Sequence, residues 1–96
     1  MRKFHAYNED TWPRRKNGEM IFADTNEAIH YANIVREKQV AYNLLKKWRR
    51  NAYQNLEFEK TKKPINYDKM FDLAVRAQLY REAMEEIQRI NEKEGL

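Results

Sequence analysis

The chain has 96 residues and no cysteine, which limits it to one small domain and excludes a disulfide framework, a cysteine-ligated zinc site and a thiol nucleophile. Charged residues make up 35% of the chain and hydrophobic residues 42%, and the formal net charge is +4. No apolar run is long enough to cross a bilayer, and the first residues lack the apolar stretch of a signal peptide. We therefore expect a cytoplasmic protein without membrane contact. Two glycines and two prolines leave few interruptions, so long helices are expected.

Residues 1–24 carry a weak strand pattern. Residues 2–7 roughly alternate between polar and apolar side chains, and residues 20–23 form a short apolar run. Asn17-Gly18 is a strong turn dipeptide, because both residues tolerate left-handed φ. The segment is predicted to be either an extended N-terminal arm or a short β-hairpin whose loop contains Arg14, Arg15 and Lys16.

Residues 25–60 have the pattern of one long amphipathic helix. Asp24 can cap its first turn, with Glu27 completing a capping-box arrangement, and no further Gly or Pro occurs before Pro64. The apolar stripe weakens over the polar residues 36–39, which is where a break would fall. The residues at helical spacing are Ala28, Tyr31, Ala32, Val35, Ala41, Tyr42, Leu45, Trp48, Ala52 and Leu56.

Residues 66–93 are predicted to form a second helix, capped by Asn66. Its apolar residues recur at alternating spacings of three and four, which gives a continuous seam along one side. The residues of this seam are Met70, Leu73, Ala77, Tyr80, Met84 and Ile87.

The lengths of these helices restrict the fold. At about 1.5 Å per residue they would measure roughly 48 Å and 40 Å, whereas a compact chain of this size has a diameter of roughly 32–35 Å. Either the first helix breaks near 36–39 to give three helices, or an elongated pair leaves apolar surface for a second copy or a partner to cover. We favour the latter. The predicted fold is mainly α: a long antiparallel helical hairpin after a short β-hairpin or arm, in a single domain over 1–96.

No pattern of catalytic residues is present. His5 and His30 are the two imidazoles, and neither belongs to a nucleophile–base arrangement; a phosphate-binding glycine loop is absent as well. Glu27 and His30 form the Glu-x-x-His pair that di-iron bundles use, but it occurs once and Glu27 already has a capping role. We therefore predict no enzymatic activity and no cofactor, and Glu27 and His30 are kept only as a candidate pair for a metal site.

Basic side chains are concentrated in the middle of the first helix. Lys46, Lys47 and Arg50 share one side of it, away from Trp48, and can contact phosphates or an acidic partner. Arg14, Arg15 and Lys16 would extend this surface if the fold brought them close. Acidic residues of the second helix are expected to face this basic segment and neutralise part of it: Glu82, Glu85, Glu86, Glu92 and Glu94.

Aromatic and apolar side chains suited to an interface are expected at Trp12, Tyr42, Tyr53, Tyr80, Met84 and Ile87. The leading hypothesis is a non-enzymatic helical interaction module that self-associates as a dimer or binds a protein partner, as an assembly factor, inhibitor or accessory protein. The alternative is a nucleic-acid-binding or nucleoprotein-associated protein that uses a basic helix face. This build is compatible with small accessory proteins of phages and mobile elements.

Overall fold

A short antiparallel strand pair and three helices make up the structure, a computed structural model that describes residues 14–16 and 18–94. The elements in chain order are β1 (Arg14–Lys16), β2 (Glu19–Ile21), α1 (Thr25–Ile34), α2 (Lys38–Lys60) and α3 (Tyr67–Lys93). The predicted fold class, a mainly α helical hairpin preceded by a short β-hairpin, is confirmed.

The β-hairpin uses different strands from those expected. β1 pairs with β2 from Arg14↔Ile21 to Lys16↔Glu19, around a tight turn in which Gly18 has φ of 83°. Because so short a turn pairs the residues that flank it directly, the basic segment is itself a strand. The expectation that Arg14, Arg15 and Lys16 lie in the loop is therefore wrong. Residues 2–7, which were expected to form the first strand, lie outside the described residues.

Residues 25–60 form two helices rather than one continuous helix. The break considered near 36–39 lies at residues 35–37, where Val35 adopts extended backbone geometry. Lys38 Nζ donates to the carbonyl oxygens of Ala32 and Val35, each at 2.9 Å, and so satisfies carbonyls that the end of α1 leaves without helical partners. The break allows α1 to pack beside α3, where Asn33 Nδ2 lies 3.3 Å from Glu86 Oε2.

Both predicted helix caps are present. Asp24 Oδ1 accepts from the Glu27 amide at 2.9 Å, and Glu27 Oε1 accepts in return from the Ala23 amide at 2.8 Å. Asn66 Oδ1 accepts from the Lys69 amide at 3.1 Å, which caps α3. These bonds satisfy amide donors that a helix N-terminus leaves unpaired.

The core lies where α2 and α3 pack antiparallel, with α1 and β2 closing it. The Tyr80 ring lies at its centre, 5.8 Å from the Trp48 ring and 6.0 Å from the Phe22 ring between centroids. The Tyr80 hydroxyl donates to the Met20 carbonyl at 2.6 Å, and this bond fixes β2 over the helix pair. Burial raises the pKa of this hydroxyl, which therefore remains a donor. None of the helices between residues 25 and 93 combines the length and apolar character that crossing a bilayer requires.

Candidate functional site

The packing of α2 determines which of its basic residues reach solvent. Leu45 and Trp48 are buried against the core, so the side chains that project to the opposite side are exposed. Lys46, Lys47 and Arg50 all lie on that exposed side, and we call these three residues the basic face. They are divided between two neighbouring depressions of the surface, because consecutive positions are rotated by 100° around a helix.

One depression joins the basic face to the β-hairpin. Lys47 and Arg15 line the same cavity of about 500 Å³, between the hairpin and α2. Asn51 Nδ2 donates to Glu19 Oε2 at 3.2 Å and ties β2 to α2 at this point. Two basic segments that are separated in the sequence therefore do meet, through one residue from each.

The other two hairpin cations, Arg14 and Lys16, do not line this cavity. Lys16 lines a cavity of about 430 Å³ with Lys62 and Arg76, farther along the helix pair. Arg14 Nη2 lies 3.4 Å from Glu27 Oε1, so its charge is engaged within the chain. Of the three predicted hairpin cations, Arg15 and Lys16 are left for an external anion.

The other depression on α2 combines cations with an aromatic ring. Lys46, Arg49, Arg50 and Tyr53 line an open cavity of about 310 Å³. The Arg49 guanidinium carbon lies 5.0 Å from the centre of the Tyr53 ring, and Tyr53 remains 43% exposed. Arg49 was not among the predicted site residues. The signal that could have found it is its position four residues before an outward-facing tyrosine, since side chains at that spacing lie next to each other on a helix.

The expected neutralisation of this basic surface by α3 is not observed. Glu85 pairs with Arg81 at 2.9 Å and Glu86 pairs with Arg89, both within α3 itself. In residues 14–16 and 18–94, no ion pair involves any member of the basic face, Arg15 or Lys16. These charges are therefore accessible without first breaking an internal contact.

An ion-pair cluster does join α2 to α3, with the acid on α2. Glu59 is 3% exposed, and its Oε2 lies 3.0 Å from Lys62 Nζ and 3.1 Å from Lys69 Nζ. Hydrogen bonds from these two ammonium groups lower the pKa of the Glu59 carboxyl. The cluster fixes the C-terminal end of α2 against the start of α3 and leaves the basic face unaffected.

Three of the predicted interface residues pack inside the chain. Tyr80, Met84 and Ile87 are buried in the core formed by α1, α2, α3 and β2, so their side chains are not available to a partner. Tyr42 is half-buried against the same core, whereas Tyr53 is exposed. Trp12 lies outside the described residues.

Exposed apolar residues occur instead on the N-terminal half of α3. Tyr67 is 71% exposed, Phe71 68% and Val75 37%, and we call these residues the α3 stripe. Their spacing of four places them along one side of the helix. They were not among the predicted interface residues, because the apolar seam used to predict the interface lies on the opposite side of α3.

Within residues 14–16 and 18–94, Glu27 and His30 do not belong to a larger set of metal ligands. The Glu27 carboxylate is 1% exposed and is held by the Ala23 amide and Arg14. Among the residues that the structure describes, no group of three or more histidine, aspartate or glutamate side chains is arranged to hold a metal ion.

Comparison of the chain with protein-family models, with curated proteins and with solved structures finds no match in any of the three. The function is therefore inferred from the geometry of the chain, in which the basic face has no ion-pair partner among the described residues.

Proposed function

We propose that this protein is a non-enzymatic binding module that contacts the phosphate backbone of a nucleic acid through the basic face. One observation carries the proposal: Lys46, Lys47 and Arg50 have no ion-pair partner in the described part of the chain, although α3, which packs against the other side of α2, is rich in glutamate. A cation that is already paired would have to leave its carboxylate before it could bind a phosphate. An unpaired cation binds without that cost, and counterions released from the nucleic acid favour the complex.

The hairpin supports the same function. Arg15 lines a common cavity with Lys47, so a phosphate at this position would meet cations from two different elements. Cations on a helix and on a neighbouring strand can fix the register of a backbone without reading its sequence. The sequence alone favours a protein partner over nucleic acid. The accessible charge of the basic face favours nucleic acid instead.

The test compares two triple variants that lose the same charge from different helices. The first carries Lys46→Gln, Lys47→Gln and Arg50→Gln, and the matched control carries Arg81→Gln, Arg89→Gln and Lys93→Gln. Binding of a fluorescent oligonucleotide is measured by anisotropy at several salt concentrations. Three lost phosphate contacts reduce the slope of log affinity against log salt by about 0.7 each for a single strand and about 0.9 each for a duplex, so we expect affinity to fall by roughly two to three orders of magnitude at about 0.1 M salt.

The control triple should retain nearly all of the affinity of the unmodified chain. Equal losses in the two triples would mean that only the net charge matters, and the assignment of the site to α2 would be wrong. No detectable binding of DNA or RNA by the unmodified chain at low salt would contradict the proposed function itself.

A second function, self-association, is favoured by the α3 stripe. Three apolar side chains exposed along one side of a helix form a patch that a second copy can cover symmetrically, because a two-fold axis pairs a surface with itself. The dimer predicted from the sequence would then use Tyr67, Phe71 and Val75 in place of Tyr80, Met84 and Ile87.

Light scattering after size-exclusion chromatography tests this second function. We expect a dimer for the unmodified chain and a monomer for Phe71→Glu, which places a charge in the centre of the stripe. Phe58→Glu makes the same change at an exposed phenylalanine of α2 and should leave the dimer intact. A monodisperse monomer of the unmodified chain at high concentration would contradict the dimer.

A further inference from the structure

We infer that Tyr53 forms, with Arg49, a stacking site for an unpaired base, so that the nucleic acid bound by the basic face is single-stranded. The inference rests on the proposed function and deepens it, because it names the class of nucleic acid. It depends on features of the structure that phosphate binding alone does not require.

The first feature is the exposure of Tyr53 compared with the tyrosines of the core. Tyr31 and Tyr80 are buried within the chain, at 8% and 0% exposure, whereas Tyr53 is 43% exposed on α2. Leaving a large ring in solvent forgoes the stabilisation that its burial would give. A ring kept at the surface among cations is the arrangement with which single-strand-binding proteins stack bases.

The second feature is the contact between this ring and Arg49. The guanidinium carbon lies 5.0 Å from the ring centre, and Arg49 forms no ion pair with the described residues. Its buried Nε also has no hydrogen-bond partner there. A guanidinium and an aromatic ring both offer planar surfaces to a base, and each recurs in sites that bind unpaired nucleotides.

The third feature is the position of the phosphate-binding cations relative to the ring. Lys46 and Arg50 line the same open cavity as Tyr53, seven and three residues earlier on the helix. A nucleotide whose base lies on Tyr53 therefore has two cations within the same cavity for its phosphates. The volume of this cavity, about 310 Å³, is at the lower end of the range for small-ligand sites.

A duplex cannot use this arrangement. Its bases are stacked on one another, so the face of a protein ring can reach one only after unstacking. Tyr53 should therefore strengthen the binding of single strands and contribute nothing to the binding of duplexes, whereas Lys46 and Arg50 should contribute to both.

The experiment measures affinity for a labelled 12-nucleotide single strand, prepared as oligo-dT and as oligo-U, and for a 12-base-pair DNA duplex. The variants are Tyr53→Leu, Tyr53→Phe and, as the matched control, Phe58→Leu, which removes an exposed aromatic ring from α2 outside the cavity of Tyr53. We expect Tyr53→Leu to weaken single-strand binding about tenfold, within the range of one base–aromatic stack, and to change duplex binding less than twofold. Tyr53→Phe keeps the ring and should restore single-strand affinity to within about twofold, and Phe58→Leu should match the unmodified chain.

Salt dependence separates stacking from charge. Because Tyr53 carries no charge, Tyr53→Leu should leave the slope of log affinity against log salt unchanged, whereas the triple variant of the basic face should reduce it.

Comparison of oligo-dT with oligo-U shows whether the site distinguishes DNA from RNA. Tenfold weakening of binding to either strand by Tyr53→Leu supports the inference.

Equal weakening of single-strand and duplex binding by Tyr53→Leu, or no weakening of either, would overturn the inference. If the triple variant of the basic face still lost affinity in that case, the proposed function would stand without it. Absence of nucleic-acid binding by the unmodified chain would overturn both.

Discussion

The cations on the exposed sides of α2 and α3 differ in the neighbours that lie one helical turn away. On α3, Arg81 pairs with Glu85 and Arg89 with Glu86, each with a partner three or four residues away on the same helix. On α2, the residues at that spacing within the basic face are cations themselves: Lys46 lies four residues before Arg50, and Lys47 three. Whether a surface cation is available thus depends on its neighbours one turn away.

This difference explains why net charge alone is a poor guide to function. The chain carries +4 overall, and an acidic helix beside a basic one suggests that much of this charge is cancelled between the two. In the structure α3 neutralises part of its own charge, whereas the basic face forms no ion pair with residues 14–16 and 18–94.

The largest effect on the free energy of unfolding is expected from a substitution on the side of α2 that faces the core. Leu45 is fully buried and Leu44 is 39% exposed, although the two are adjacent. Leu45→Ala should lower the free energy of unfolding by about 2–5 kcal/mol, because it leaves a cavity in the core. Leu44→Ala should cost less than about 1 kcal/mol. Urea denaturation measures both, and similar losses would mean that α2 is rotated and that its basic face is misplaced.

The next largest effect concerns the bond that holds the hairpin beside the basic face. Tyr80→Phe removes the hydroxyl that donates to the buried Met20 carbonyl, and an unsatisfied buried acceptor costs about 1–3 kcal/mol. Tyr67→Phe makes the same chemical change at a residue that is 71% exposed and should have almost no effect on unfolding. If Tyr80→Phe proved as stable as Tyr67→Phe, the hairpin would not be fixed by this bond, and the bond between Asn51 and Glu19 would be left to hold it beside α2.

How far the sequence predicted the structure depends on the range of the interactions concerned. The cap at Asn66 and the buried seam of α3 follow from spacings of three and four residues, and both are found. The exposure of Lys46 and Arg50 follows from the same periodicity. These features are local, so a single sequence contains the information that determines them.

The misassigned features depend on contacts between distant residues. The turn at Gly18 pairs β2 with the residues directly before the turn, whereas the position of the hairpin over the helices depends on a bond to Met20 from Tyr80, sixty residues away. Arg14 stays exposed but lies 3.4 Å from Glu27, a residue interpreted from the sequence as a helix cap and as a candidate metal ligand with His30. The pairing of α3 acids with cations of their own helix is different, because Arg81 and Glu85 are four residues apart and Glu86 and Arg89 three; that spacing could have predicted both pairs.

A smaller effect on stability is expected at Glu59, an acidic residue of α2 that is paired with two lysines. Glu59→Gln replaces a carboxylate whose pKa is lowered below 4.5 by hydrogen bonds from Lys62 and Lys69. A carboxyl with a lowered pKa stabilises the fold above its unfolded-state pKa, near 4.5, and that contribution is lost as the pH falls through the folded-state value. The variant should therefore be less stable at pH 7, and the difference should disappear in acid.

Glu57→Gln provides the control for this prediction. Glu57 is an exposed partner of Lys60 at 2.9 Å on the same helix, and exposed pairs contribute little to stability. Urea denaturation of both variants across pH 3–7 gives the comparison. A difference between Glu59→Gln and the unmodified chain that stayed constant over this range would show that the ionised carboxylate does not stabilise the fold.

The smallest expected effect compares the two faces directly: removing one arginine from each should change the free energy of unfolding in opposite directions. Arg81→Gln removes an ion pair four residues apart on α3 and should lower the free energy of unfolding by about 0.2–0.5 kcal/mol. Arg50→Gln removes a like charge from beside Lys46 and Lys47 and should raise it by a similar amount. Glutamine and arginine have nearly equal helix propensities, so the substitution introduces little bias of its own.

Both changes should fade together as salt is added, because exposed charges are screened within about 3 Å at 1 M ionic strength. The measurement requires urea, since guanidinium is itself a salt and would remove the effect. Losses of stability in both variants would mean that Arg50 has a stabilising partner. The basic face would then resemble the outer face of α3, and its binding of phosphate would have to compete with an internal contact.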